Sequence, residues 1–136
     1  MSKSTTKRKS AARPSLPPDV ATAVTAAASK QASDIVVLDL REAAAFTDYF
    51  VICTGHNARQ IKAIADAVEE ALGRERLEPA HVEGYPAAEW VLLDYFDFVV
   101  HVFMEGTRTF YGLERLWGSA TPVDLHDLLA PERAHR

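Results

Sequence analysis

With 136 residues, 48% of them hydrophobic and 25% charged, the chain is long enough for one domain with a real core and too short for two. No apolar run approaches the length of a transmembrane helix, no signal-peptide core follows the basic start, and Cys53, the only cysteine, excludes an internal disulfide and fits a reducing compartment. The net charge of −4 is unevenly spread: Lys3, Lys7, Arg8, Lys9 and Arg13 precede Asp19 with no acid among them, so the chain from Asp19 onward carries ten bases, nineteen acids and a net charge of −9. A body with that field selects a basic protein over bare nucleic acid.

Residues 1–18, MSKSTTKRKSAARPSLPP, are rich in Ser, Lys and Pro and nearly devoid of apolar side chains, which predicts a disordered basic tail. Two sharper readings stand beside it. An organelle transit peptide is equally basic and acid-poor, but it needs an amphipathic face that is missing before Leu16. A basic arm touching RNA phosphates needs only the charges. After Pro18, Asp19 is placed to cap a helix with Val20, Ala23, Val24, Ala27 and Ala28 at helical spacing. Asp34–Leu40 is short and β-branched, a strand, and Asp48–Gly55 is a second. Asn57 then caps an amphipathic helix with Ile61, Ile64, Ala65, Val68 and Leu72 on one stripe, which decays at Gly73 and Pro79.

A short extended piece at His81–Glu83 is followed by a turn through Gly84 and Pro86 and by two strands, Glu89–Tyr95 and Asp97–Phe103. The last element is a helix over Arg108–Ala120, with Phe110, Leu113 and Leu116 at helical spacing and Trp117 beside them. The order α-β-β-α-β-β-β-α predicts an α/β domain, a mixed β-sheet flanked by helices, over residues 19–130, with a C-terminal tail at 131–136.

Motifs for catalysis are thin. The chain has neither a phosphate-binding G-x-x-x-x-G-K-[ST] loop nor a G-x-G-x-x-G turn, so Gly55 before the capped helix reads as a turn device. Cys53 and His56 are close, yet Cys53 sits among apolar strand residues with no third group to orient the histidine. The histidines at 56, 81, 101, 126 and 135 lack zinc-ligand spacing. Asp39, Asp94 and Asp97 are candidates for a metal-binding carboxylate cluster of a nucleotidyltransferase-type enzyme, but the Asp-x-Asp pair that aims two carboxylates the same way is absent.

LLDYFDFVVHVF, residues 92–103, poses the sharper question: two acids and a histidine are set into an apolar hairpin. With Tyr95 and Phe96 as the turn, Asp94 faces Asp97, Leu92 faces Val99 and Trp90 faces His101. One face then carries Val91, Leu93, Tyr95, Phe98, Val100 and Val102, a core face. The other carries Trp90, Leu92, Asp94, Asp97, Val99 and His101, either an ordinary half-exposed sheet face or a partner-binding surface, since aromatics amid a few polar groups characterise interface hot spots.

TDYFVICTGHNARQ, then AIAD, EGYPAAEWVLLDYFDFVVHVF and YGLERLW, in that order between Asp34 and Trp117, closely resemble the ribosomal silencing factor (Iojap-like) family. Two departures are Asn57, where the family most often has Ser or Thr, and Phe96, where it usually has Gly. The resemblance implies a nucleotidyltransferase-like fold without nucleotidyl transfer, no cofactor and no catalytic residue. It implies binding to large-subunit ribosomal protein number fourteen, a steric block to small-subunit joining that lowers translation when nutrients are scarce, frequent homodimers, and a bacterial cytoplasmic location.

Overall fold

The structure, a computed structural model, describes residues 16–43, 45–112 and 120–129, without the side chains of residues 110 and 111. Helix α1 spans Pro18–Ser29. Pro18 takes the first helical position, where its missing N–H forfeits no bond. Asp19 is thus not the cap expected: Pro17 holds that place without a side-chain bond, and the Asp19 carboxylate accepts the Val20 N–H at 2.9 Å within the first turn. Negative charge there still suits the helix dipole.

Strand β1, Ser33–Asp39, follows through Gln31 at φ +64° and begins irregularly, with Asp34 at φ +50° and a register shift before Val36. It runs antiparallel to β2, Tyr49–Gly55, every residue of which is buried. A strand covered on both faces is expected to be apolar throughout, as YFVIC is.

Helix α2, Ala58–Arg74, is capped as its sequence indicates: the Asn57 side chain accepts the Gln60 N–H at 2.8 Å. Ile61, Ile64, Ala65, Val68 and Leu72 are its buried stripe. Gly55, just before the cap, is required by close approach, because a Cβ there would lie 2.7 Å from Ile61 Cγ1. Replacing Asn57 with alanine should cost about 1 kcal/mol. Urea unfolding checks this as a lowered midpoint with an unchanged slope.

The remaining strands are β3 (His81–Glu83), β4 (Trp90–Asp94), β5 (Phe98–Met104) and β6 (Thr121–Pro122), in the spatial order β3-β4-β5-β2-β1-β6. Among the described strands only the central β2–β5 pair is parallel. The mixed sheet flanked by helices, in one domain, therefore forms as read from the sequence. One sheet face packs Val51, Cys53, Val91, Leu93, Val100 and Val102 under α1 and α2. The opposite face holds a smaller cluster of Leu38, Leu40, Phe50, Ile52, Val99 and Phe103.

The third helix differs from expectation. Helix α3 runs over Glu105–Tyr111 and stops at Gly112, which adopts the left-handed φ +58°. Its start follows from β5 ending at Met104, and its end from a glycine suited to that cap. Leu113, Leu116 and Trp117 of the predicted stripe lie outside the described residues, as do residues 1–15 of the basic tail. The two-residue β6 was not anticipated, being too short to carry a period.

Candidate partner interface

The β4–β5 hairpin closes differently from the two-residue turn predicted. Trp90 pairs with Phe103, Leu92 with His101 and Asp94 with Val99. A two-residue hairpin loop of the favoured I′ type would put both Tyr95 and Phe96 at positive φ. Instead Tyr95 bonds to Phe98, the turn falls at Phe96 and Asp97, and positive φ is confined to Phe96, at +71°. The Asp94 carboxylate accepts the Phe96 N–H at 2.9 Å, and the Tyr95 N–H donates to the Phe98 carbonyl at 2.9 Å. Asp94 and Asp97 are consequently not opposed as the predicted turn would have them, and strand pairing does not set their like charges against each other. A shift of two residues preserves the side-chain period, so the division into two faces is unchanged.

Burial divides the six residues singled out from the sequence. Trp90, Leu92 and Asp94 on β4 are half-buried and Asp97 is exposed, whereas Val99 and His101 on β5 are 1% and 3% exposed. The last two are the floor beneath the surface and not part of it. The reason is position: β5 is an interior strand, while β4 is overlapped only by the short edge strand β3.

Trp90 is held by specific contacts. Its indole Nε1–H donates to His101 Nδ1 at 3.0 Å, and its ring lies 4.9 Å from Phe103. Phe50 meets the His101 ring edge-on at 4.5 Å. Burial pushes the His101 pKa down to about 3, so the imidazole is neutral at pH 7. With Nδ1 accepting, the proton sits on Nε2, which is buried without a hydrogen-bond partner among the described residues. A neutral histidine under an amphipathic indole orients the tryptophan; it has no geometry for acid–base work.

Strand pairing adds residues that sequence reading did not bring to this surface. His81 lies opposite Asp94 and Glu83 opposite Leu92, which places both on the Trp90 face, hydrogen-bonded to each other. Three residues of extended chain were visible in the sequence, but nothing local indicated the strand they would join. Nearby, Thr47 Oγ1 donates to the Phe96 carbonyl at 2.7 Å and the Asp48 N–H to the Asp97 carbonyl at 3.0 Å, attaching the segment before β2 to the hairpin turn.

The carboxylates of the enzymatic alternative are not assembled. Asp39 lies on β1 and Asp94 on β4, with β2 and β5 between them, a separation on the order of 14 Å at about 4.8 Å per strand. Asp39 is engaged by Arg41, whose Nε and Nη2 reach its two oxygens at 3.0 and 2.7 Å. This hydrogen bonding holds the Asp39 carboxyl below its ordinary pKa. Among the described residues no three His, Cys, Asp or Glu side chains are grouped to hold a metal. Cys53 is fully buried, which pushes its thiol pKa up to about 12 and leaves it un-ionised at pH 7. Among the described residues, no helix is long and apolar enough to cross a membrane.

At the opposite end of β2, Arg108 of α3 donates from Nη1 to the Asp34 carbonyl and to Thr54 Oγ1, both at 2.7 Å. The arginine reads as an anchor that fastens α3 to the irregular start of β1.

Residues 13–136 match the family model described as "Ribosomal silencing factor during starvation". The chain is 40% identical over 103 residues to the ribosomal silencing factor of Bacillus subtilis, covering 76% of this chain and 87% of that one. It is 38% identical over 108 residues to that of Halalkalibacterium halodurans, covering 79% and 92%. A crystal structure of a Chromobacterium violaceum protein has a TM-score of 0.72 at 33% identity, covering 74% of this chain and 83% of its own. Matched by the family model over residues 13–136 and by these relatives over most of its length, the chain belongs to the ribosomal silencing factor family.

Proposed function

We propose that this chain docks on the large ribosomal subunit through ribosomal protein number fourteen and blocks joining of the small subunit by occupying its place, lowering protein synthesis under nutrient limitation. The observation that carries the reading is the half-buried Trp90, fixed by His101 and Phe103, on a strand face shared with Leu92, Glu83 and Asp94 that ends at the turn bearing Asp97. An oriented aromatic with acids around it suits a basic protein surface. The mechanism is steric, without cofactor or catalytic residue, and operates in the bacterial cytoplasm. The basic tail before Asp19 adds non-specific contact with ribosomal RNA, and a homodimer is the further assembly this reading includes.

Sedimentation with purified subunits tests it. Co-migration with the large subunit alone is expected, together with suppressed association of the two subunits. Co-migration with neither removes the basis for docking. In the same assay Asp97→Lys should slow association and weaken binding several-fold at low salt, the defect shrinking as salt screens the charges. Stability should barely change, because Asp97 is exposed and its turn bonds are made by the backbone. Unchanged binding at low salt with a clear drop in melting temperature would reassign Asp97 as a structural turn residue.

A further inference from the structure

Two phenylalanines project from the same end of the sheet. Phe46 is 73% exposed and Phe96 is 74% exposed. The bonds from Thr47 to the Phe96 carbonyl and from Asp48 to the Asp97 carbonyl tie their segments together, although the two residues are far apart in sequence. Phe46 meets Phe50 edge-on at a centroid distance of 6.2 Å, which sets it over the Trp90 side of the sheet. Phe96 belongs to neither core cluster. Its φ of +71° lies in the left-handed region, where a bulky side chain is disfavoured and glycine is at ease. Folding therefore gains nothing evident from a phenylalanine at this place. A residue that breaks a local rule without a packing return points to use at the surface.

The surroundings specify the occupant. Asp97 adjoins Phe96, Asp94 caps its turn, and Asp48 is bonded to that turn through its own N–H. Aromatic rings bordered by carboxylates receive guanidinium and ammonium groups, by stacking on the ring and by charge-assisted hydrogen bonds to the acids. The same acids, on a chain whose net charge is −9 from Asp19 onward, repel nucleic-acid phosphates.

We propose that Phe96 and Phe46 are aromatic anchors that extend the docking face around the hairpin turn and grip a lysine- or arginine-bearing protein surface of the large ribosomal subunit. This rests on the docking function proposed above and adds to it residues that the Trp90 face does not include.

The backbone conformation provides a test in which two readouts move in opposite directions. Phe96→Gly relieves the left-handed strain and should raise the melting temperature by about 2–5 °C. The same change should raise the dissociation constant for purified large subunits at least about tenfold. Phe46→Ala should weaken binding in the same direction, and Phe96→Tyr, which keeps the ring, should bind within about threefold of the unsubstituted chain. If the unsubstituted chain binds and Phe96→Gly binds equally well, the anchor role is overturned while docking through Trp90 stands. A lower melting temperature for Phe96→Gly also overturns it, since the ring would then be holding the fold. If the unsubstituted chain fails to bind large subunits, both the anchors and the docking function fall.

Discussion

Trp90→Ala is expected to raise the dissociation constant for the large subunit by about 30-fold or more, the equivalent of about 2 kcal/mol for a truncated interface tryptophan. The side chain is half-buried, so part of the indole is available to a partner while the rest is braced by Phe103 and His101. Truncation also removes the donor to His101 Nδ1, on a ring whose Nε2 already lacks a partner among the described residues. A loss of stability of about 1–2 kcal/mol should therefore accompany the loss of binding. Trp90→Phe separates the two effects, because it retains most of the apolar area and deletes only the indole N–H. Its stability should fall toward that of Trp90→Ala through the unpaired histidine, while binding falls less. Thermal melts and subunit pull-downs on the same samples measure both. Full binding by a folded Trp90→Ala would move the docking surface away from β4.

Gly84→Ala should be the more damaging change to the fold. Gly84 has φ +80°, and a Cβ built on it would stand 2.0 Å from the Trp90 carbonyl oxygen. That oxygen belongs to the backbone of β4, so the clash cannot be relieved by turning a side chain. Left-handed strain together with forced displacement of the strand predicts a loss of about 2–4 kcal/mol. The Ala88 N–H bond to the Gly84 carbonyl and the β3–β4 pairing should be lost first. Hydrogen exchange would show this as lost protection over residues 81–94 while α2 remains protected. Binding should fall as well, since Trp90 and Leu92 ride on the displaced strand. A variant with unaltered melting temperature would show that the turn has room the structure does not display.

Helices α1 and α2 and strands β1, β2, β4 and β5 were legible because their signals are local. A 3.6-residue stripe, a cap such as Asn57 and a β-branched run are each contained in a few neighbouring residues. The division of the hairpin into two faces was legible for the same reason, as alternation survives an error of two in register. The family motifs were equally readable. The register itself was not. It depends on a turn in which the Asp94 carboxylate competes for the Phe96 N–H and the Thr47 hydroxyl secures the Phe96 carbonyl from 49 residues away.

Strand order decided the rest. Hairpin alternation put Trp90, Leu92, Asp94, Asp97, Val99 and His101 on one face, and only the sheet shows that Val99 and His101 are covered because β5 is interior. It also separates Asp39 from Asp94 by two intervening strands and brings Glu83 beside Leu92 through an edge pairing. Local sequence determined which segments are helix or strand and which side chains share a face, because neighbours along the chain set those periods. Which acids, aromatics and hidden histidine meet at the surface was fixed by contacts between distant segments, and those exist only once the sheet has closed.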